Sequence, residues 1–224
     1  MFGLDDFIAS YSDSASVWLV ALVAILLGLR HATDPDHLAA VTTLLAGTKK
    51  GATRAAGELG ASWGLGHAVT LFAFGVPILL LDRYLPERVQ QGAETAIAFV
   101  IAYLALRLLF RWRSGFGHSH PHRARTRVGA FGIGLVHGMG GSAGVGILLV
   151  ASIHSIALSV LALVVLAVFT AVSMTILSTA FGAALATRPL QASSQAVAPV
   201  FGLAGLAFAC WYGAAAWALA PYPF

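Results

Sequence analysis

Long apolar segments separated by short polar links are the feature that most restricts how this chain can fold. Six segments reach at least about 17 residues, the lower limit for a helix that spans a bilayer. They cover residues 17–47, 59–81, 93–110, 128–153, 156–184 and 196–218. Only 10% of the 224 residues are charged, whereas soluble domains contain about 25%. The sequence therefore predicts an all-α transmembrane bundle of about six spans that forms a single domain over residues 1–224.

The basic residues in the links predict an orientation. One side of the membrane receives nine Lys and Arg residues and the other side receives two. Because the cation-rich side is usually cytoplasmic, we expect both termini outside, with an outward tail at residues 1–16. The same rule predicts a cytoplasmic loop, rich in His and Arg, at residues 111–127. The N-terminal 14 residues contain no Lys or Arg, which argues against a cleaved signal peptide.

Three spans followed by three spans would give two halves of opposite orientation, as in many transporters. Gly28-Leu29-Arg30-His31 in the first span is similar to Gly134-Leu135-Val136-His137 in the fourth. The segment Gly64-Leu65-Gly66-His67 matches equally well, and a chain with 24 glycines produces such matches easily. An inverted 3+3 repeat is thus one possibility that the sequence leaves open.

A polar cluster interrupts the first span. Its sequence is His31-Ala32-Thr33-Asp34-Pro35-Asp36-His37, and each ionisable residue at bilayer depth costs about 2.5–3.5 kcal/mol on insertion scales. Pro35 lacks the backbone donor that a continuous helix needs, and the residue before proline is disfavoured in helical geometry. We therefore predict that the first helix breaks at Asp34-Pro35.

The break has a consequence for the two histidines. On a continuous helix His31 and His37 would lie about 240° apart, whereas a break lets both face one ion. Imidazole nitrogen and carboxylate oxygen together suit Ni²⁺, Co²⁺ or Zn²⁺. Another interpretation is a buried pair between Arg30 and an aspartate, with the histidines bonded to helix carbonyls, or a cluster outside the hydrocarbon core.

Other histidines are weaker candidates. His67 lies near the middle of the second span, where a core residue and a metal ligand are both reasonable interpretations. His137 precedes a glycine-rich run that is typical of helix packing but that could also line an ion path. The loop histidines could collect metal ions on the cytoplasmic side, although the neighbouring arginines would repel cations; these histidines are His118, His120 and His122.

The cluster resembles a family signature. Residues 31–37 look like the His-x4-Asp-His signature of the nickel/cobalt transporter family, and Gly64-Leu65-Gly66-His67 is similar to that family's Leu-Gly-His motif. The resemblance covers residues 28–70 most strongly, and the chain length is similar to the six-span, UreH-like or urease-accessory branch. It implies that His31, Asp36, His37 and His67 are critical for transport, and Asp34 matches a further common position.

The resemblance implies a bacterial inner-membrane permease for Ni²⁺ or Co²⁺, not an enzyme. The ion would be cargo rather than a resident cofactor, a nickel metallochaperone or urease accessory protein would be a possible partner, and no nucleic-acid partner is expected. Two alternatives stay open: an intramembrane metal-dependent hydrolase with Asp34 as its base, and a membrane metal-delivery partner that does not transport. The preferred metal, the direction of transport, the coupling ion and the oligomeric state are not predicted.

Overall fold

The computed structural model describes residues 4–45, 52–81, 86–114, 126–138, 140, 155–187 and 194–221. Within these ranges every regular element is a helix, which confirms the all-α prediction. The helices are α1 (Leu4–His31), α2 (Pro35–Leu45), α3 (Ala52–Leu81), α4 (Glu87–Arg113), α5 (Arg127–His137), α6 (Ile156–Leu185) and α7 (Ser194–Ala215).

The helices are long and apolar enough to make this a multi-pass membrane protein. Four of them, α3, α4, α6 and α7, could each cross a membrane, and α1 with α2 could together form a fifth, bent span. The fourth predicted span, residues 128–153, is described only at its start, where α5 covers 11 residues. The described residues therefore account for up to five of the six predicted spans.

Two helices extend beyond the predicted boundaries. The backbone of α1 is helical from Leu4, so most of the segment expected as an outward tail continues the first helix. Helix α4 ends at Arg113, so the start of the loop predicted at residues 111–127 is helical instead. Arginines near a helix end can extend their charged groups towards the membrane surface while their stems stay in apolar surroundings, which allows the helix to continue.

Helix α3 lies at the centre of the bundle, where it packs against α5 and α6. Helix α1 packs against α6, α4 packs against α7, and α2 contacts both α4 and α7. The largest buried cluster contains Trp63, Ile97, Ile101 and Tyr212. Polar side chains are buried beside this cluster, whereas large apolar side chains such as Phe99 remain exposed on the outside, as expected for a surface that faces lipid.

Candidate metal site at the break in the first span

The break between α1 and α2 sets the geometry of the candidate site. The two helices are bent by 44° at the break, which confirms the predicted interruption at Asp34-Pro35. Since Pro35 has no amide hydrogen, the His31 carbonyl accepts instead from the Asp34 amide at 3.1 Å, and the Asp34 carbonyl accepts from Leu38 at 3.0 Å. His31 is thus the last residue of α1, and His37 lies in the first turn of α2.

Three buried histidines converge at this break. His31 Nε2 lies 3.0 Å from His67 Nε2, and the ring of His37 lies with its centroid 4.6 Å from that of His31 and 5.4 Å from that of His67. One ring nitrogen from each histidine lies within 4.8 Å of the other two. The structure therefore brings together three of the predicted site residues, from both sides of the break and from the next span.

The two aspartates lie behind two of these rings. Asp34 Oδ2 is 3.2 Å from His31 Nδ1, and Asp36 Oδ1 is 3.0 Å from His37 Nδ1. Histidines that ligate metals usually donate their other ring N–H to a carboxylate, which fixes the ring and raises its basicity. With Nδ1 as the donor, the Nε2 lone pairs of both histidines remain for other contacts.

Some buried polar atoms of the site are left without hydrogen bonds. Asp36 Oδ2 and His37 Nε2 are buried and have no hydrogen-bond partner among the described residues. Buried polar groups normally have a partner, so these atoms mark the place where a cation would complete the arrangement. Arg30 is 3.7 Å from Asp34 Oδ1 but its side chain is 68% exposed, so it neutralises Asp34 only from the outside.

His137 lies beside this cluster but contributes differently. Its ring is buried, and its centroid is 5.1 Å from that of His37. Both of its ring nitrogens are buried and have no hydrogen-bond partner among the described residues. The sequence identified His137 as a weak candidate, and the structure places it next to the three histidines without including it in their group.

Sequence reasoning missed Trp63. Its indole is buried and stacks on the His37 ring at a centroid distance of 5.5 Å and an interplanar angle of 19°. It also meets His137 edge-on at 5.4 Å. The signal was its position four residues before His67, which places both residues on one face of α3.

Close backbone packing brings α5 to this face of α3. A Cβ atom at Gly134 would overlap the Trp63 carbonyl, and one at Gly138 would lie 2.6 Å from the His67 carbonyl. Only glycine permits helix backbones to approach so closely. Gly134 on α5 and Gly138 directly after it therefore allow His137 to lie beside His37.

Two other sets of residues have different outcomes. The loop histidines His118, His120 and His122 lie outside the described residues, so their predicted role in metal capture stays a prediction. Glu94 on α4, which the sequence analysis did not single out, is 3% exposed and accepts a hydrogen bond from Gln90 at 3.2 Å.

Comparison with known proteins identifies the family. Residues 17–130 match NicO, described as "High-affinity nickel-transport protein". This chain belongs to the NicO family. The matched residues include the cluster at the break and His67, and they end before His137. Membership in a transporter family establishes transport of a metal ion as the general activity and supports the prediction that the chain is not an enzyme.

A curated relative agrees with the resemblance to the short branch. The urease accessory protein UreH of Bacillus sp. (strain TB-90) is 25% identical to this NicO chain over 154 residues, which are 63% of this chain and 67% of the relative. No solved structure matches the chain.

Proposed function

We propose that this chain is a permease that carries Ni²⁺ or Co²⁺ across the bacterial plasma membrane and binds the ion between His31, His37 and His67. The observation that carries the proposal is the convergence of one ring nitrogen from each histidine within 4.8 Å. These nitrogens come from α1, α2 and α3, and all three side chains are buried.

The spacing of two nitrogens allows both to bind one ion. Two ligands about 2.1 Å from one ion lie about 3.0 Å apart at a 90° angle and about 3.4 Å apart at a tetrahedral angle. The distance between His31 Nε2 and His67 Nε2 is 3.0 Å, which is also the length of a hydrogen bond between the two rings. The choice of nickel therefore rests on the family match and not on this distance.

The aspartates have separate roles in this proposal. Asp34 orients His31 through Nδ1, whereas Asp36 orients His37 through Oδ1 and offers its buried Oδ2 atom to the ion. Two buried carboxylates without a cation would be costly in a bilayer. A divalent cation offsets this charge. The alternative interpretation, an ion pair between Arg30 and Asp34 alone, leaves the charge of Asp36 without a compensating cation.

Because the three ligands must be deprotonated, metal binding competes with protons. We expect Ni²⁺ affinity to fall as the pH is lowered, and isothermal titration over a series of decreasing pH values measures this. An affinity that rises towards low pH would argue against histidine ligands.

The relative's name suggests a physiological setting. We propose that the transported nickel supplies urease maturation, with a nickel metallochaperone or urease accessory protein as the cytoplasmic partner. The positive charges of the links support an orientation with both termini outside.

Flux measurements test the permease. Purified protein in proteoliposomes, in both orientations, should take up Ni²⁺ or Co²⁺, and His37→Ala should abolish uptake. Leu38→Ala is the matched control, since Leu38 lies in the same helical turn, is 38% exposed and should leave uptake unchanged. Metal binding by the wild-type protein without flux would contradict the permease and favour a delivery partner.

A further inference from the structure

Two hydrogen bonds relate the two halves of the chain. Thr70 Oγ1 on α3 donates to the Leu135 carbonyl on α5 at 2.9 Å, and Ser173 Oγ on α6 donates to the Leu29 carbonyl on α1 at 3.1 Å. Each bond turns into the other when the halves are exchanged, because α3 of the first half donates to α5 of the second, and α6 of the second half donates to α1 of the first. The exchange pairs Thr70 with Ser173 and Leu29 with Leu135.

Glycine contacts repeat the same exchange. A Cβ atom at Gly28 would meet the carbonyl of Leu166 and the amide of Thr170, and one at Gly134 would meet the carbonyl of Trp63 and the amide of His67. In both cases a glycine packs over a carbonyl and over the amide four residues later. These contacts pair Gly28 with Gly134, at the same separation along the chain as Leu29 and Leu135. They also pair Thr170 with His67.

The central helices follow the same correspondence. Gly60 packs against Ser178, and Gly75 packs against Leu163. The separation along the chain between Thr70 and Ser173 is the same as that between Gly60 and Leu163 and that between Gly75 and Ser178. Exchanging the halves therefore turns the first glycine contact into the second. Residue numbers rise along α3 as they fall along α6, so these helices are antiparallel.

The halves have opposite orientations. Helix α2 ends at Leu45, seven residues before α3 begins at Ala52. Helix α5 begins beside the start of α3, where Arg127 pairs with Glu58 at 2.8 Å. The first span therefore ends on the side of the bundle where α5 begins. Together with the exchanged contacts, this gives the inverted relation that the sequence left open.

We propose that His137 and Thr170 form a second half-site on the ion path, the counterpart of His31 and His67. The proposal rests on the permease function proposed above. His31 and His137 are the last residues of α1 and α5, and His37 contacts both, with centroid distances of 4.6 and 5.1 Å. A divalent cation held by the three histidines is therefore one ring away from His137.

The hydroxyl of Thr170 supports this role. The side chain is completely buried, yet Oγ1 has no hydrogen-bond partner among the residues that the structure describes. Other threonines of the same helix behave differently, because Thr175 and Thr179 donate to the carbonyls four residues earlier at 2.7 and 2.6 Å. Because the Thr170 hydroxyl does not form such a bond to a helix carbonyl, it is available to a cation on the ion path.

The chemistry of the half-site suits passage rather than storage. It offers one imidazole and one neutral hydroxyl, whereas the first site offers three imidazoles and a carboxylate. Borderline divalent ions bind imidazole well and a neutral hydroxyl weakly. The ion would accordingly leave the half-site readily, as transport requires.

The test separates passage from binding. Thr170→Val removes the hydroxyl with little change of shape, and Thr175→Val is the control on the same helix, where the hydroxyl already has a partner. We expect Thr170→Val to reduce the initial rate of Ni²⁺ uptake into proteoliposomes about tenfold. Ni²⁺ affinity by isothermal titration should change less than about twofold, because the three histidines are intact. Thr170→Ser should restore uptake.

Each outcome decides the question. Uptake by Thr170→Val equal to that of Thr175→Val would overturn the second half-site while leaving the permease intact. A loss that Thr170→Ser does not restore would also overturn it, because the effect would then come from packing. A wild-type protein that binds Ni²⁺ without uptake would overturn the permease itself, and the half-site with it.

Discussion

The two halves of the molecule share their packing but differ in their chemistry. In both halves a helix ends at a histidine, a glycine three residues earlier packs on a neighbouring helix, and the carbonyl between them accepts a hydroxyl hydrogen bond. Only the first half adds His37 and His67 to this arrangement, together with the two carboxylates. Where the first half has His67, the second has Thr170.

This difference shows how one packing arrangement can hold two kinds of site. The glycines and hydroxyl bonds that position the helices do not depend on which side chain faces the ion. A strong site in one half and a weak one in the other would let an ion bind selectively and still be released.

His37→Ala should weaken Ni²⁺ binding more than any change in the second half. It removes a proposed ligand and leaves the Asp36 carboxylate without its ring partner. We expect the Kd to rise about 100-fold or more, whereas His137→Ala should raise it about tenfold or less. Isothermal titration in detergent measures both. Equal losses would show that the halves bind the ion together and would remove the proposed difference between them.

Adding a methyl group at the glycine contacts should destabilise both halves. A Cβ atom at Gly134 would overlap the Trp63 carbonyl, and one at Gly28 would lie 2.8 Å from the Leu166 carbonyl. Overpacking of this kind costs about 1–3 kcal/mol, and we expect Gly134→Ala to exceed Gly28→Ala. Thermal unfolding in detergent is the measurement.

The control for these glycines is Gly132→Ala on α5, where a Cβ atom would meet nothing within 4 Å. It should leave the stability unchanged or raise it slightly, because alanine favours helix more than glycine does. A loss at Gly132 equal to that at Gly134 would contradict the importance of close backbone approach.

Much of the fold followed from the sequence, since its signals are local. The apolar runs predicted the spans, and Pro35 predicted the break because a missing amide hydrogen acts within one turn. The convergence of His31 and His37 followed from that break. The start of α1 and the end of α4 were less predictable, because a helix can continue beyond its apolar segment. At the end of α4, for example, Arg113 can keep its charged group at the polar membrane surface.

The rest of the site depends on contacts between distant segments. The spacing from His67 places Trp63 on the same face of α3, but it does not show that the indole stacks on His37, because that contact joins two helices. Likewise, the motif shared by residues 28–31 and 134–137 occurs again at residues 64–67. Only the exchanged contacts select the first pair as the related one. The roles of Asp34 and Asp36 also needed ring orientations that a sequence does not contain.

The carboxylates should contribute less to binding than the rings that they orient. Asp36→Asn keeps a hydrogen-bond acceptor for His37 but removes a charge and a proposed ligand atom, so we expect the Kd for Ni²⁺ to rise about 10- to 100-fold. Asp34→Asn should cost about tenfold or less, because Arg30 already lies 3.7 Å from this carboxylate. The order of the two variants is measured by isothermal titration. A larger loss for Asp34→Asn would make Asp34 the direct ligand.

The smallest effect tests the relation between the halves themselves. Thr70→Val and Ser173→Ala each remove one of the two exchanged hydrogen bonds, and such bonds between membrane helices contribute about 0.6 kcal/mol on average. We expect similar losses for the two variants and an additive loss for the double variant, since the bonds share no residue. Thr70 also donates to Gly66 within its own helix at 3.3 Å, so its variant should cost slightly more. Unfolding in detergent measures all three. A large loss at one position with none at the other would mean that the two bonds, although alike in geometry, do not support the halves equally.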